Sequence, residues 1–208
     1  MKTVSLYIII LFTLAGCWQN KAVTANYKKE LGAYRSKYKA DFLSNPRSPL
    51  KEEDLSLLEF YPADPSWKLV CSCIPAKDAK PFEMPTYSGV SRTYILHSMV
   101  ECTHNGNKFG LNLYKNIHQP INPLYKNHLF LPFKDLTNSE TTYGGGRYIN
   151  LLDTDINDGT IIIDFNKSYN PWCAYSEGYN CPIPPTDNHL NIMVTAGEML
   201  FQGKHKTP

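Results

Sequence analysis

The chain has 208 residues, a formal charge of +2, and 42% hydrophobic against 19% charged residues. That length builds one well-cored domain or at most two small ones, and this composition belongs to folded chains, not disordered ones. The even charge balance excludes strong electrostatic attraction to nucleic acid, while 14 tyrosines and 15 prolines favour strands and turns.

Lys2 precedes an apolar run, Val4 to Thr13, which Leu14-Ala15-Gly16-Cys17 closes. A charged start, a short apolar middle and small residues at the end are the layout of a secretory signal. The run is shorter than the ~20 residues a membrane-crossing helix needs. A cysteine directly after the small pair resembles the bacterial lipobox. That resemblance implies a signal peptide over 1–16, cleavage before Cys17, lipidation (palmitate) of its sulfur, and a membrane anchor outside the cytoplasm. Cleavage would lower the formal charge to +1, since Lys2 is the one charged residue removed. Trp18-Gln19-Asn20-Lys21 contains no Asp and no acidic cluster, so by resemblance to sorting signals the expected address is the outer membrane, on its periplasmic face.

Residues 18–25 read as a polar tether. From Asn26, a plausible N-cap, Tyr27, Leu31, Tyr34, Tyr38 and Phe42 recur at helical spacing with charged residues between them. The spacing predicts an amphipathic helix laid on a core. Ser48-Pro49-Leu50-Lys51-Glu52-Glu53 reads as a second, short helix start. Strands are predicted over 67–74, 93–103, 108–115, 128–133, 148–152, 160–165 and 189–195, with a short last one over 198–201. Asn105-Gly106 and Asn157-Asp158-Gly159 mark tight turns. The predicted architecture is mainly β: one domain over 26–203, an antiparallel barrel or sandwich with the helix packed across it, and a tail over 204–208.

Besides Cys17, five cysteines remain. Cys71 and Cys73 face the same side of one strand, and either can pair with Cys102 from a neighbour. Cys173 and Cys181 enclose seven residues. Outside the cytoplasm they are a candidate loop disulfide, worth ~2.5 kcal/mol by loop entropy. As a thiol, Cys173 is a candidate nucleophile with His189 as its base. The spacing of Cys173, Cys181 and His189 is not that of zinc motifs, so no metal is expected. Gly144-Gly145-Gly146-Arg147 lacks the Lys-Ser/Thr ending of a phosphate loop, and no cofactor is expected. Arg147 can fork onto a ligand's carboxylate or phosphate, or pair structurally with Asp164 or Glu198.

The ordered blocks Gly146-Arg147-Tyr148, Asp164-Phe165-Asn166, Tyr169-Asn170-Pro171, Cys173-Ala174-Tyr175, Cys181-Pro182-Ile183-Pro184-Pro185, Asn188 and Gly197-Glu198 resemble domain-of-unknown-function family 1684. Leu31-Gly32-Ala33-Tyr34-Arg35 and Ser48-Pro49-Leu50 look like its lipoprotein branch, and the resemblance spans roughly residues 27–201. Two departures are His189, where Arg is usual, and Asn138-Ser139-Glu140-Thr141. The resemblance implies no reaction. The residues themselves suggest a polar site of Arg147, Tyr148, Asp164, Asn166, Tyr169, Asn170 and Asn188 holding a small polar or carbohydrate-like ligand. A hydrolase using Cys173 or the carboxylates of Asp164 and Glu198 is one alternative. A structural envelope protein with a disulfide-braced loop is the other.

Overall fold

The computed structural model describes residues 4–117 and 126–207, the stretch 4–23 by its backbone alone. Helix α1 runs from Val4 to Ser44. The segment expected to be a tether is therefore helical; no proline or glycine between Cys17 and Leu31 stops the helix. The side chain of Cys17 lies outside the described residues, as do residues 1–3 of the expected signal peptide. Among the described residues no helix is long and apolar enough to cross a membrane. The predicted stripe faces the domain, with Tyr27, Leu31 and Phe42 buried. The second helical segment is a short 3-10 helix of two turns, Glu52–Leu57.

Strands β1 (Lys68–Pro75), β2 (Phe82–Met84), β3 (Arg92–His104), β4 (Asn107–Asn116), β5 (His128–Phe133), β6 (Arg147–Leu152) and β7 (Thr160–Asp164) follow. They form one sheet in the order β6-β5-β4-β3-β1-β7, with β2 beside β3. All these pairings are antiparallel. Leu151 of β6 and Ile161 of β7, on opposite edges, share one core with Leu113 and Leu131. The sheet therefore curls into a half-barrel, and α1 lies across the turn that follows β7, where Tyr34 donates to the Lys167 carbonyl at 3.2 Å. Both Asn105 and Gly106 have positive φ, 49° and 81°, as a two-residue hairpin turn requires.

A bulge at His97 splits β3. Leu96 pairs with Tyr114, and Ser98 pairs with Leu113, leaving His97 over. Side chains alternate across a strand, so one extra residue reverses the faces beyond it. Val100 and Cys102 consequently enter the inner core, while Tyr94 joins Met84, Tyr114, Phe130 and Tyr148 in a second cluster on the outer face.

Cys71 stands opposite Cys102 and is bonded to it, with Cα atoms 4.4 Å apart, leaving Cys73 as a buried thiol. The strands predicted over 189–195 and 198–201 are absent. That segment runs extended beneath the sheet and bonds to loops: Leu190 N–H to Lys134, Glu198 N–H to Ser168 and Met199 N–H to Glu59. Its alternating Leu190, Val194 and Ala196 fill the barrel core, which gives it a strand's pattern without a strand's partners.

Asn188 repairs a gap in the sheet. β4 and β5 share a single registered pair, Tyr114 with Phe130. The buried Asn188 side chain accepts from Asn112 N–H at 2.7 Å and donates to the carbonyls of Asn112 at 2.9 Å and Pro132 at 2.7 Å. One side-chain amide thus splices two strands. Asn188→Ala leaves three main-chain groups without partners in a dry place and is expected to cost about 3 kcal/mol in chemical denaturation. A loss below about 1 kcal/mol would remove the splice from the account of the fold.

Candidate functional site

Of the residues singled out in the sequence, Arg147 is the largest that is fully buried. Its guanidinium pairs with Asp135 at 2.8 Å, not with Asp164 or Glu198, and both partners are shut off from solvent. Nη1 also donates to the carbonyls of Ala196 at 2.5 Å and Glu198 at 3.2 Å, and Nη2 to Val194 at 2.9 Å. Asp135 in turn accepts from Thr137 N–H at 2.8 Å and from Val194 N–H at 3.2 Å. The glycine before Arg147 serves this approach: Gly146 has φ +91°, and a Cβ there would lie 2.6 Å from the Phe133 carbonyl oxygen. Gly146 thus admits the chain's own backbone, whereas a Cβ at Gly144 or Gly145 would meet the side chains of Ser139, Tyr143 and Tyr87.

Asp164 and Glu198 lie under different turns of α1. Asp164 accepts from the Tyr27 hydroxyl at 2.8 Å and from Asn166 N–H at 3.1 Å, while its buried Oδ2 has no hydrogen-bond partner among the described residues. Asn166 clasps the backbone of Asp64. Glu198 is fully buried and accepts from Tyr175 O–H at 2.5 Å, Tyr38 O–H at 2.9 Å and Asn170 N–H at 2.9 Å. Loss of water pushes its carboxyl up to about 7, although these donors favour the charged form. The same burial raises the Tyr38 and Tyr175 phenols well above their usual range.

Cys173 and Cys181 are joined in a disulfide with Cα atoms 6.2 Å apart, so Cys173 carries no thiol in this structure. The ring of His189 meets the Pro184 carbonyl, with Nε2 at 3.1 Å. Among the described residues, no group of three His, Cys, Asp or Glu side chains could hold a metal ion.

An open cleft of about 550 Å³ lies on the outer face. Tyr148 and Tyr169, both named from the sequence, line it, and so does Cys181. Arg147, Asp164, Asn166, Asn170, Asn188 and Glu198 do not. Its floor is a relay of rings: Tyr94 stacks on Phe130 at 5.6 Å, Phe130 meets Tyr148 edge-on at 4.8 Å, and Tyr148 meets Tyr169 at 5.9 Å. Trp172 and Tyr179 add a wall, their ring centroids 5.2 Å apart. The Tyr148 hydroxyl donates to the Pro182 carbonyl, and that of Tyr179 to the Arg47 carbonyl at 2.7 Å. Thr86 and Ser88, from the β2–β3 connection, bond to Asn180. These contacts and the Cys173–Cys181 bond fix the loop that shapes the cleft.

Sequence reasoning missed Arg47, Arg92, Tyr94, Phe130, Trp172 and Tyr179 as lining residues. They come from five separate stretches of chain. The one available sign was a run of aromatic residues on the polar side of predicted strands.

A family model described as "Protein of unknown function (DUF1684)" matches residues 53–199. The chain belongs to this family. The solution NMR structure of an uncharacterized protein from Haloarcula marismortui is similar at 28% identity and a TM-score of 0.67, covering 88% of this chain and 99% of that one. No curated protein matches. The matched segment contains every residue lining the cleft except Arg47.

Glu198 makes stability depend on pH. Its folded-state value, about 7, lies above the ordinary 4.5 of a free glutamate, so the folded state holds a proton that the unfolded chain releases. The contribution is full below about 4.5 and is lost as pH rises through about 7. Glu198→Gln keeps an oxygen for Tyr38 and Asn170 and is expected to flatten this slope, gaining up to about 3 kcal/mol over the parent at pH 8. Parallel pH profiles of urea stability for the two proteins would refute the assignment.

Proposed function

We propose that the protein is a cell-envelope binding module whose outer cleft holds a small polar, carbohydrate-like ligand. The carrying observation is the cleft itself: aromatic faces floor a concave site of about 550 Å³, within the ~300–1,000 Å³ range of small-ligand clefts. Sugar rings present apolar C–H faces and a rim of hydroxyls. Tyr94, Phe130, Tyr148 and Trp172 suit the former, and the amides of Asn150 and Asn180 suit the latter. The disulfide that fixes the cleft loop, and the second one across β1 and β3, suit a compartment outside the cytoplasm. In this reading Cys17 carries the lipid, the short part of α1 between Cys17 and Tyr27 is the tether, and the outer membrane's periplasmic face is the address.

Two experiments test these parts separately. Titration with soluble mono- and disaccharides is expected to change Trp172 fluorescence, and Tyr179→Ala is expected to weaken binding by about tenfold, the worth of one good aromatic contact. If no saccharide perturbs Trp172 or the resonances of Tyr148 and Tyr169, the carbohydrate reading fails. Cys17→Ala is expected to move the protein from the membrane fraction to the soluble one. An unchanged membrane fraction would end the lipid-anchor reading.

A further inference from the structure

The cleft carries positive charge without a counter-charge. Arg47, from the loop after α1, and Arg92, the first residue of β3, both line it. Neither takes part in an ion pair among the described residues. Among the described residues no Asp or Glu lines the cleft with them. In a chain with nearly equal numbers of acids and bases, two unpaired guanidinium groups beside one aromatic floor form a local positive field.

Two amides there are also turned to donate. Asn150 Oδ1 accepts from the Tyr169 hydroxyl at 2.9 Å and lies 3.0 Å from His128 Nε2. Asn180 Oδ1 accepts from the hydroxyls of Ser88, at 2.5 Å, and Thr86. With both oxygens engaged, each amide has its NH₂ left over, and no protein acceptor takes either one among the described residues. The hydroxyls of Tyr148 and Tyr179 spend their hydrogens on main-chain carbonyls and can meet a ligand only as acceptors, which suits its sugar hydroxyls, while the arginines and amides are left for its acidic group. An acceptor-rich, negatively charged ligand complements such a lining, and guanidinium forks match the oxygens of carboxylate and phosphate.

We propose that the ligand is an acidic saccharide, with its ring on the aromatic floor and its carboxylate or phosphate held by Arg47 and Arg92. This rests on the reading of the cleft as a sugar site, and the test separates the two. The probes are D-glucose, D-glucuronate, D-glucose 6-phosphate and inorganic phosphate, titrated into the full chain at low and high salt. At least one acidic sugar is expected to bind about tenfold or more tighter than glucose at low salt. Arg92→Gln and Arg47→Gln are expected to erase most of that advantage, lowering affinity for the acidic sugar far more than affinity for glucose. Which acidic sugar binds tells carboxylate from phosphate. Equal affinity for glucose and both acidic sugars would overturn the charge inference and leave the sugar site standing. If no sugar binds, the sugar reading falls. Phosphate binding that Arg92→Gln abolishes would then sustain the anion site alone, and no phosphate binding would overturn that as well.

Discussion

Everything near the C-terminus hangs on the guanidinium of Arg147. Taking a charge out of water costs several kcal/mol, and the cost is offset here by an ion pair with Asp135 and three main-chain carbonyls. Those carbonyls belong to Val194, Ala196 and Glu198, so a side chain of β6 fixes the path of a segment that has no strand to pair with. With that path fixed, Val194 and Ala196 close the inner core, and the Glu198 carboxyl reaches Tyr38 and Tyr175. The helix is thereby tied to the barrel through a buried acid whose position Arg147 sets. A hydrophobic residue at 147 would fill the volume and leave this path unspecified.

The outer cleft depends on the same framework at one remove. Its floor sits on β3, β5 and β6, the strands whose inner faces the core holds. Its wall is the Trp172–Pro182 region, which the Tyr175–Glu198 bond and the Cys173–Cys181 bridge hold down. Rigid strands and a stapled loop produce a preformed site, which lowers the ordering cost of binding.

Local rules made much of this legible. Alternating apolar residues, the Asn105-Gly106 turn and the Asp158-Gly159 turn announce the central strands, and the helix stripe announces its buried face. The C-terminal segment misled because Leu190, Ile192 and Val194 alternate as a strand does, and alternation reports a buried side, not a hydrogen-bonding neighbour. The Arg147 partner was legible in kind and not in identity: a buried arginine needs an acid, and nothing local distinguishes Asp135 from Asp164 or Glu198. The polar residues of the C-terminal blocks stood out in the sequence because they splice backbone, as Asn188 does. The cleft stayed hidden because its lining is gathered from three strands and several loops far apart in sequence, and because the His97 bulge moves Tyr94 to a face its parity within β3 would deny it.

Cys73 shows how narrow the oxidation of this chain must be. It points to the same side of β1 as Cys71 and stands opposite Val100. A two-residue slip of β1 along β3 preserves every inward-facing side chain and brings Cys73 opposite Cys102 instead. A bond formed in that slipped state would lock the wrong alignment covalently and strand Cys71 as the leftover thiol. The native bridge therefore requires β1 and β3 to stand in their final register when the sulfurs join, or a later thiol exchange to undo a bridge made out of register.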